Sequence, residues 1–260
     1  MGQTISSRQN QWVKKLNEAA RGKGIWKDCC IPEGVKLCRE AAGSGLKIEA
    51  VFSTEALAGE AASLGDSETQ RFVLSESLFK SVSDTMHPQG ILCLAKRPPI
   101  RPLEALDLKA GPASILVLET IQDPGNLGTM IRTAEAMGWD AAVTAGDCAD
   151  PFQSKALRAA MGSSFRLPLY KEKESRKIIR YCRAEETAVL AAAAEGTALP
   201  VFRRPERLSL WIGNEGRGLP QEILDAADQR LSIPMPGGAE SLNAAAAAAI
   251  LLYKLREPLL

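Results

Sequence analysis

Between residues 114 and 256 short apolar runs alternate with segments of helical period, and few architectures accept that alternation. The runs at 114–118, 141–144, 166–169, 187–192, 208–212 and 230–233 have the length of strands, while 127–137, 153–161, 172–183, 220–227 and 241–256 space apolar residues three and four apart. Strands joined through helices run parallel and need helices on both faces of the sheet, so the spacing predicts an α/β domain with a mostly parallel sheet. The alanine run 244–249 strongly favours helix, and its small side chains permit close packing.

Residues 1–95 follow another rhythm, helical at 6–20, 32–42, 54–64 and 75–82 and strand-like at 48–53, 71–74 and 91–95, which fits a smaller α/β sandwich. The stretch 96–112, rich in proline and charge, reads as a linker between domains at 1–95 and 113–260. A chain of 260 residues with 45% apolar and 24% charged side chains has core enough for two such domains. No run reaches the roughly 18 uninterrupted apolar residues of a membrane helix, and the polar first ten residues lack the apolar centre of a signal peptide. A cytoplasmic protein with no membrane partner is the expectation. Six cysteines form no C-x-x-C pair, and His87 is the only histidine, so no metal site is expected. His87 reads as a loop residue of the first domain without a catalytic part.

Net charge is +1, which by itself argues for no particular partner. Its distribution is uneven: residues 1–24 hold five Lys or Arg against Glu18, and 171–183 hold six against two Glu. Either cluster could meet nucleic-acid phosphates, and either could be a solvated helix face.

Three segments of the second half follow predicted strands, where open α/β sheets bind ligands. The first, 122–132, carries Pro124, Gly125, Asn126 and Gly128 in what reads as a tight turn, then Arg132 off the apolar stripe of the next helix. The second, 211–219, has Gly213, Gly216 and Gly218 around Glu215. It is neither a dinucleotide fingerprint nor a phosphate loop, which counts against a nucleotide-dependent enzyme. The third, 233–243, runs from Ile233 through Pro234 and Met235 to Ser241, Leu242 and Asn243, with Ser241 placed to cap the last helix.

The N-x-G-x-x-x-R of Asn126, Gly128 and Arg132, the G-x-E-G-x-G of Gly213 to Gly218, and the I-P-M…E-S-L-N of 233–243 resemble, in order, the three motifs of the SpoU (TrmH) family. That family comprises S-adenosylmethionine-dependent RNA ribose 2′-O-methyltransferases. The segment 155–168 is similar to the family's connecting region, and 32–35 and 87–91 resemble less sharply the substrate-binding domain of its longer members. The resemblance implies a trefoil knot at the C-terminal end, a homodimer, and S-adenosylmethionine held in the knot by Gly213, Ile233 and Leu242. It implies catalytic roles for Arg132, Asn126, Glu215, Ser241 and Asn243, with RNA, ribosomal by analogy, as the partner. A guanidinium loses its proton only above about pH 12, so Arg132 as a phosphate anchor stands beside Arg132 as a base. Two other readings stay open: a non-catalytic RNA-binding protein of the same fold, and a transfer RNA 2′-O-methyltransferase.

Overall fold

The structure, a computed structural model, describes residues 3–108, 111–238 and 241–256. It falls into two compact units, 1–99 with 151–165, and 100–150 with 166–260. The first unit holds a five-stranded mixed sheet in the order β1 (Gln3–Ile5), β4 (Gln70–Leu74), β3 (Ile48–Ser53), β5 (Ile91–Lys96), β2 (Cys29–Cys30). Around it lie α1 (Gln11–Ala20), α2 (Val35–Gly43), α3 (Ala58–Ala62) and α4 (Glu76–Val82). β5 pairs antiparallel with β3 and β2, whereas β4 runs parallel to β1 and β3.

Two sequence expectations shift in this unit. Helix α1 begins at residue 11 rather than 6, because the Asn10 side chain accepts the Trp12 amide (2.8 Å) and residues 3–5 leave to pair as β1. The helix expected over 54–64 is a 3-10 turn, Glu55–Leu57, followed by the short α3. Glu33, buried at 9% exposure, accepts from the Ser83 and Thr85 hydroxyls and the Asp84 amide, so it pins the loop after α4.

The second unit is the parallel sheet the alternation predicts. Its order is β12 (Gln229–Ser232), β10 (Ala188–Ala198), β11 (Arg207–Ile212), β7 (Ala113–Glu119), β8 (Ala141–Ala145), β9 (Leu169–Glu172), β6 (Arg101–Pro102), with each neighbouring pair parallel. Helices α5 (Pro124–Ala136), α8 (Ser175–Ala184), α9 (Gln221–Ala226) and α10 (Ala244–Lys254) cover it; α6 (Ser154–Ala160) belongs to the segment that counts with the first unit, and α7 (Ser163–Arg166) ends that segment. Strand β7 is buried along its whole length, as a central parallel strand must be.

The strand expected at 166–169 lies later, at residues 169–172. Pro168 has no amide to donate, and pairing starts from its carbonyl, which accepts the Ala142 amide at 3.0 Å. The stretch read as a linker is not free chain: residues 101–102 form edge strand β6, and Leu103, Leu106 and Leu108 are buried in the core of the second unit with Ile115 and Tyr170. Tyr181 fixes it by donating to the Leu106 carbonyl at 2.9 Å. Among the described residues no helix is long and apolar enough to cross a membrane, and no group of three metal-ligating side chains comes together.

Candidate active site

The chain leaves β7 for β8 on one side and later returns through β11 to the other, so the loops after β7 and β11 are neighbours at the carboxyl edge of the sheet. The loop after β12 ends at the same edge. What the three loops share is visible first in their hydrogen bonds.

Asp123 caps α5 by accepting the Asn126 amide (2.8 Å), with Pro124 in the first helical turn. Residues 124–128 are therefore helix from the start, not the tight turn expected; helix α5 begins at Pro124 rather than 127. At the far end of the sequence Asn243, not Ser241, caps α10: its Oδ1 accepts the Ala245 and Ala246 amides at 2.9 and 3.3 Å. That assignment corrects the expected cap and settles the rest of the network. With Oδ1 committed to the helix, Asn243 Nδ2 donates to Asn126 Oδ1 (3.2 Å), and Asn126 Nδ2 then donates to Glu215 Oε1 (3.1 Å). One directed chain, Asn243 to Asn126 to Glu215, ties the three motifs together.

The loop after β11 is built around Asn214, a residue the sequence reading did not single out. Asn214 Oδ1 accepts the amides of Gly216 and Arg217 (3.0 and 3.2 Å), while its Nδ2 donates to the Thr120 carbonyl (3.0 Å). An Asx turn of this kind folds the loop back on itself. Thr120 is one of three non-glycine residues with positive φ (55°) among the described residues, so the end of β7 carries local strain that Asn214 holds in place. The Cys148 Sγ accepts the Ile121 amide (3.3 Å) beside it, and burial pushes this thiol up to about 11, so it stays protonated. Asn214 and Asp123 are the site residues the sequence reading passed over. Their signal was present, an Asx residue next to glycine or proline, but such residues are common in plain turns.

A cavity of about 390 Å³ opens beside this network. Its walls are Ala192 to Ala194 on β10, Ile212, Leu231, Met235 and Leu251, with the main chain of the loop after β11. Gly213, Ile233 and Leu242, the three residues expected to hold a cofactor, all line it, and so do Glu215 and Ser241. Gly213 is obligatory for packing: a Cβ there would lie 2.3 Å from the Gly218 carbonyl carbon and 2.4 Å from the Leu219 amide nitrogen. The volume falls in the range of roughly 300–1,000 Å³ typical of small-molecule sites. Apolar walls suit a flat aromatic ring, and Glu215, Arg217 and Ser241 put polar groups within the same lining for a charged end. The residues thus fit S-adenosylmethionine. The alanines of β10 carry no chemical signature in sequence.

Arg132 stands apart. It is exposed on α5, six residues and so about 9 Å of helix rise beyond Asn126. Among the described residues no hydrogen bond or ion pair joins it to Asn126, Glu215, Ser241 or Asn243. Ala239 and Glu240, within the third motif, lie outside the described residues.

Residues 113–253 match the SpoU rRNA Methylase family, and residues 13–93 match the MRM3-like substrate binding domain. The chain is 36% identical over 256 residues to the 23S rRNA (guanosine(2553)-2′-O)-methyltransferase RlmP of Bacillus subtilis, covering 97% of this chain and 98% of that protein. An AdoMet-bound rRNA methyltransferase from Sinorhizobium meliloti has a TM-score of 0.84 at 28% identity, over 99% of this chain and 98% of that one. The SpoU methyltransferase AviRb from Streptomyces viridochromogenes, at 23% identity, shares the fold with a TM-score of 0.82 over 95% and 97% of the two chains.

Proposed function

Since this chain belongs to the SpoU rRNA methylase family, we propose that it methylates a ribose 2′-hydroxyl of ribosomal RNA with S-adenosylmethionine as donor. The observation that carries the reading is the hydrogen-bonded chain Asn243 to Asn126 to Glu215 beside the apolar cavity, since it joins all three motifs at one sheet edge. Ribosomal rather than transfer RNA follows from RlmP, a relative along nearly the whole length whose name gives 23S rRNA as substrate. The trefoil knot implied by family membership, and a cytoplasmic location beside ribosomes, belong to the same reading.

Gly213, Ile233 and Leu242 hold the cofactor, mainly through main chain and apolar contact. Bound there, S-adenosylmethionine supplies a methyl group already activated by its sulfonium. The protein has to orient the hydroxyl and help its proton leave. Arg132, exposed and uncommitted, anchors the phosphate next to the reactive ribose. A permanently charged guanidinium does this better than it accepts a proton. Asn126 and Glu215 fix the polar floor of the site, Asn243 locks the Asn126 amide orientation, and Ser241 contributes its hydroxyl at the cavity wall. Residues 1–95 act as the RNA-holding domain. The protein works as a homodimer, and exposed Ile250 (41%) and Tyr253 (61%), one turn apart on α10, supply apolar surface for it.

Incubation of the protein with labelled cofactor and ribosomal RNA, followed by mapping of alkali-resistant ribose positions, tests the activity. Calorimetry that detected no S-adenosylmethionine binding would sink the reading. Arg132→Ala is expected to slow methyl transfer about 10²-fold through lost positioning of the ribose, with cofactor affinity unchanged; full activity in that variant overturns the role given to Arg132.

A further inference from the structure

We infer that Glu119 is a positioning residue for the methyl-transfer site: its buried carboxylate holds Thr120 in a left-handed conformation and, through the Thr120 carbonyl, fixes the loop 213–218 that carries Glu215. The inference rests on the methyltransferase reading only for what that loop binds.

A carboxylate buried at the end of a strand needs a reason, because taking it out of water is costly unless its oxygens find donors. Glu119 is the last residue of β7 and 6% exposed, after six residues of apolar or small side chain. Its Oε2 accepts from the Ser175 hydroxyl at 2.6 Å, and its Oε1 accepts from the Thr120 hydroxyl at 3.1 Å. Among the described residues no ion pair engages it. Ser175 opens α8, so the carboxylate lies at the positive end of that helix. Anchoring α8 occupies one oxygen only.

The other oxygen goes to the residue with the unusual backbone. Thr120 has φ of 55°, a region costly for any residue with a Cβ and kept only where the surroundings impose it. The surroundings grip it on every side. Its amide donates to the Ala145 carbonyl (3.0 Å), its hydroxyl is held by Glu119, and its carbonyl accepts from Asn214 Nδ2 (3.0 Å). Gly146 leaves room for that hydroxyl, since a Cβ at 146 would lie 2.5 Å from Thr120 Oγ1 and 3.2 Å from Glu119 Oε1. Asn214, once bound to the Thr120 carbonyl, turns its Oδ1 to the Gly216 and Arg217 amides, and its own carbonyl accepts the Gly218 amide at 2.9 Å. The route therefore runs from Glu119 through Thr120 and Asn214 to Glu215, which lines the cavity and accepts from Asn126.

The test uses the full chain and two readouts, hydrogen exchange of the amides at 216–218 and calorimetry with S-adenosylmethionine alone. Glu119→Ala should speed that exchange and weaken cofactor binding, each about tenfold, the scale set by one left-handed residue left unsupported. Adding Thr120→Gly should return both to near the wild-type values, because glycine takes this φ without being held. Melting temperature should stay low in the double variant, since the Ser175 hydroxyl still lacks its acceptor, and this separates positioning from plain stability. Ser175→Ala should lower the melting temperature and leave loop exchange and cofactor binding as they are. Where Glu119→Ala does not fold, Thr120→Ala carries the test: it keeps the bond to Ser175 and should loosen the loop by a similar factor. Wild-type exchange in Glu119→Ala or Thr120→Ala, no recovery in the double variant, or a loosened loop in Ser175→Ala would each overturn the inference. A wild-type chain that bound no S-adenosylmethionine would strike the enzymatic reading alone, because exchange at 216–218 reports on the loop without ligand.

Discussion

The segments 122–128 and 213–218 each set glycines around one Asn, and they occupy neighbouring loops at one sheet edge, yet they use their glycines for unrelated reasons. In 213–218 two of the three glycines are steric necessities: Gly218 has φ of +67°, and Gly213 has main chain where a Cβ would go. In 122–128 the chain is already helical from Pro124, Gly125 has no positive φ, and Asp123 supplies the cap. One loop is a wall shaped by absent side chains. The other is a helix start that aims a side chain, Asn126, at the wall. Glycine content therefore locates a functional edge without saying which glycine matters.

Gly213→Ala should break the comparison most visibly. The new methyl group meets backbone rather than a movable side chain, so the loop must shift, at a cost of about 1–3 kcal/mol. For a chain of this size that is a lower melting temperature by several degrees, at about 2–4 °C per kcal/mol, accompanied by loss of measurable cofactor binding. Unchanged melting and calorimetry would mean that the loop is more pliable than its contacts indicate.

Asn243 offers a finer cut, because one side chain does two jobs with two atoms. Asn243→Ala removes both the cap and the bond to Asn126, and the cap alone is worth about 1 kcal/mol. Asn243→Asp keeps an acceptor for the Ala245 and Ala246 amides but has no donor for Asn126. Stability should survive in the aspartate variant while methyl transfer falls. If both variants lost stability equally and transferred methyl equally, the directed chain from Asn243 to Glu215 would have no catalytic part.

The uneven legibility of this chain has physical causes. The parallel sheet was readable because buried parallel strands such as β7 need unbroken apolar runs, and Ile115 to Leu118 supply one. The resemblance of three motifs brought Gly213, Ile233 and Leu242 to one expected pocket, and all three line the cavity. Caps were misplaced by two or three residues because Ser241 and Asn243 are both good N-caps, and only the course of the chain decides which one meets the free amides. Asn214 was hidden by its own typicality: an Asn among glycines reads as a turn, and its bond to Thr120, 94 positions away, has no local trace. The proline-rich stretch before β7 looked like linker because its buried leucines, Leu103, Leu106 and Leu108, are too few to declare a helix or a strand.

The smallest expected effect is the sharpest check on the contrast between the two loops. Gly125 is half-buried at the second position of α5, and its carbonyl accepts from Thr129 Oγ1 at 2.8 Å, a bond that a side chain at 125 leaves untouched. Gly125→Ala should therefore leave cofactor binding and methyl transfer as they are. It should raise stability by up to about 0.5–1 kcal/mol, since alanine gives up less backbone freedom on entering a helix. Thermal melting alongside the Gly213→Ala variant reads the two signs directly. If Gly125→Ala destabilised the protein or cut activity as Gly213→Ala does, the start of α5 would be a sterically shaped wall like its neighbour, and Asn126 would owe its aim to the glycine rather than to the Asp123 cap and the bond from Asn243.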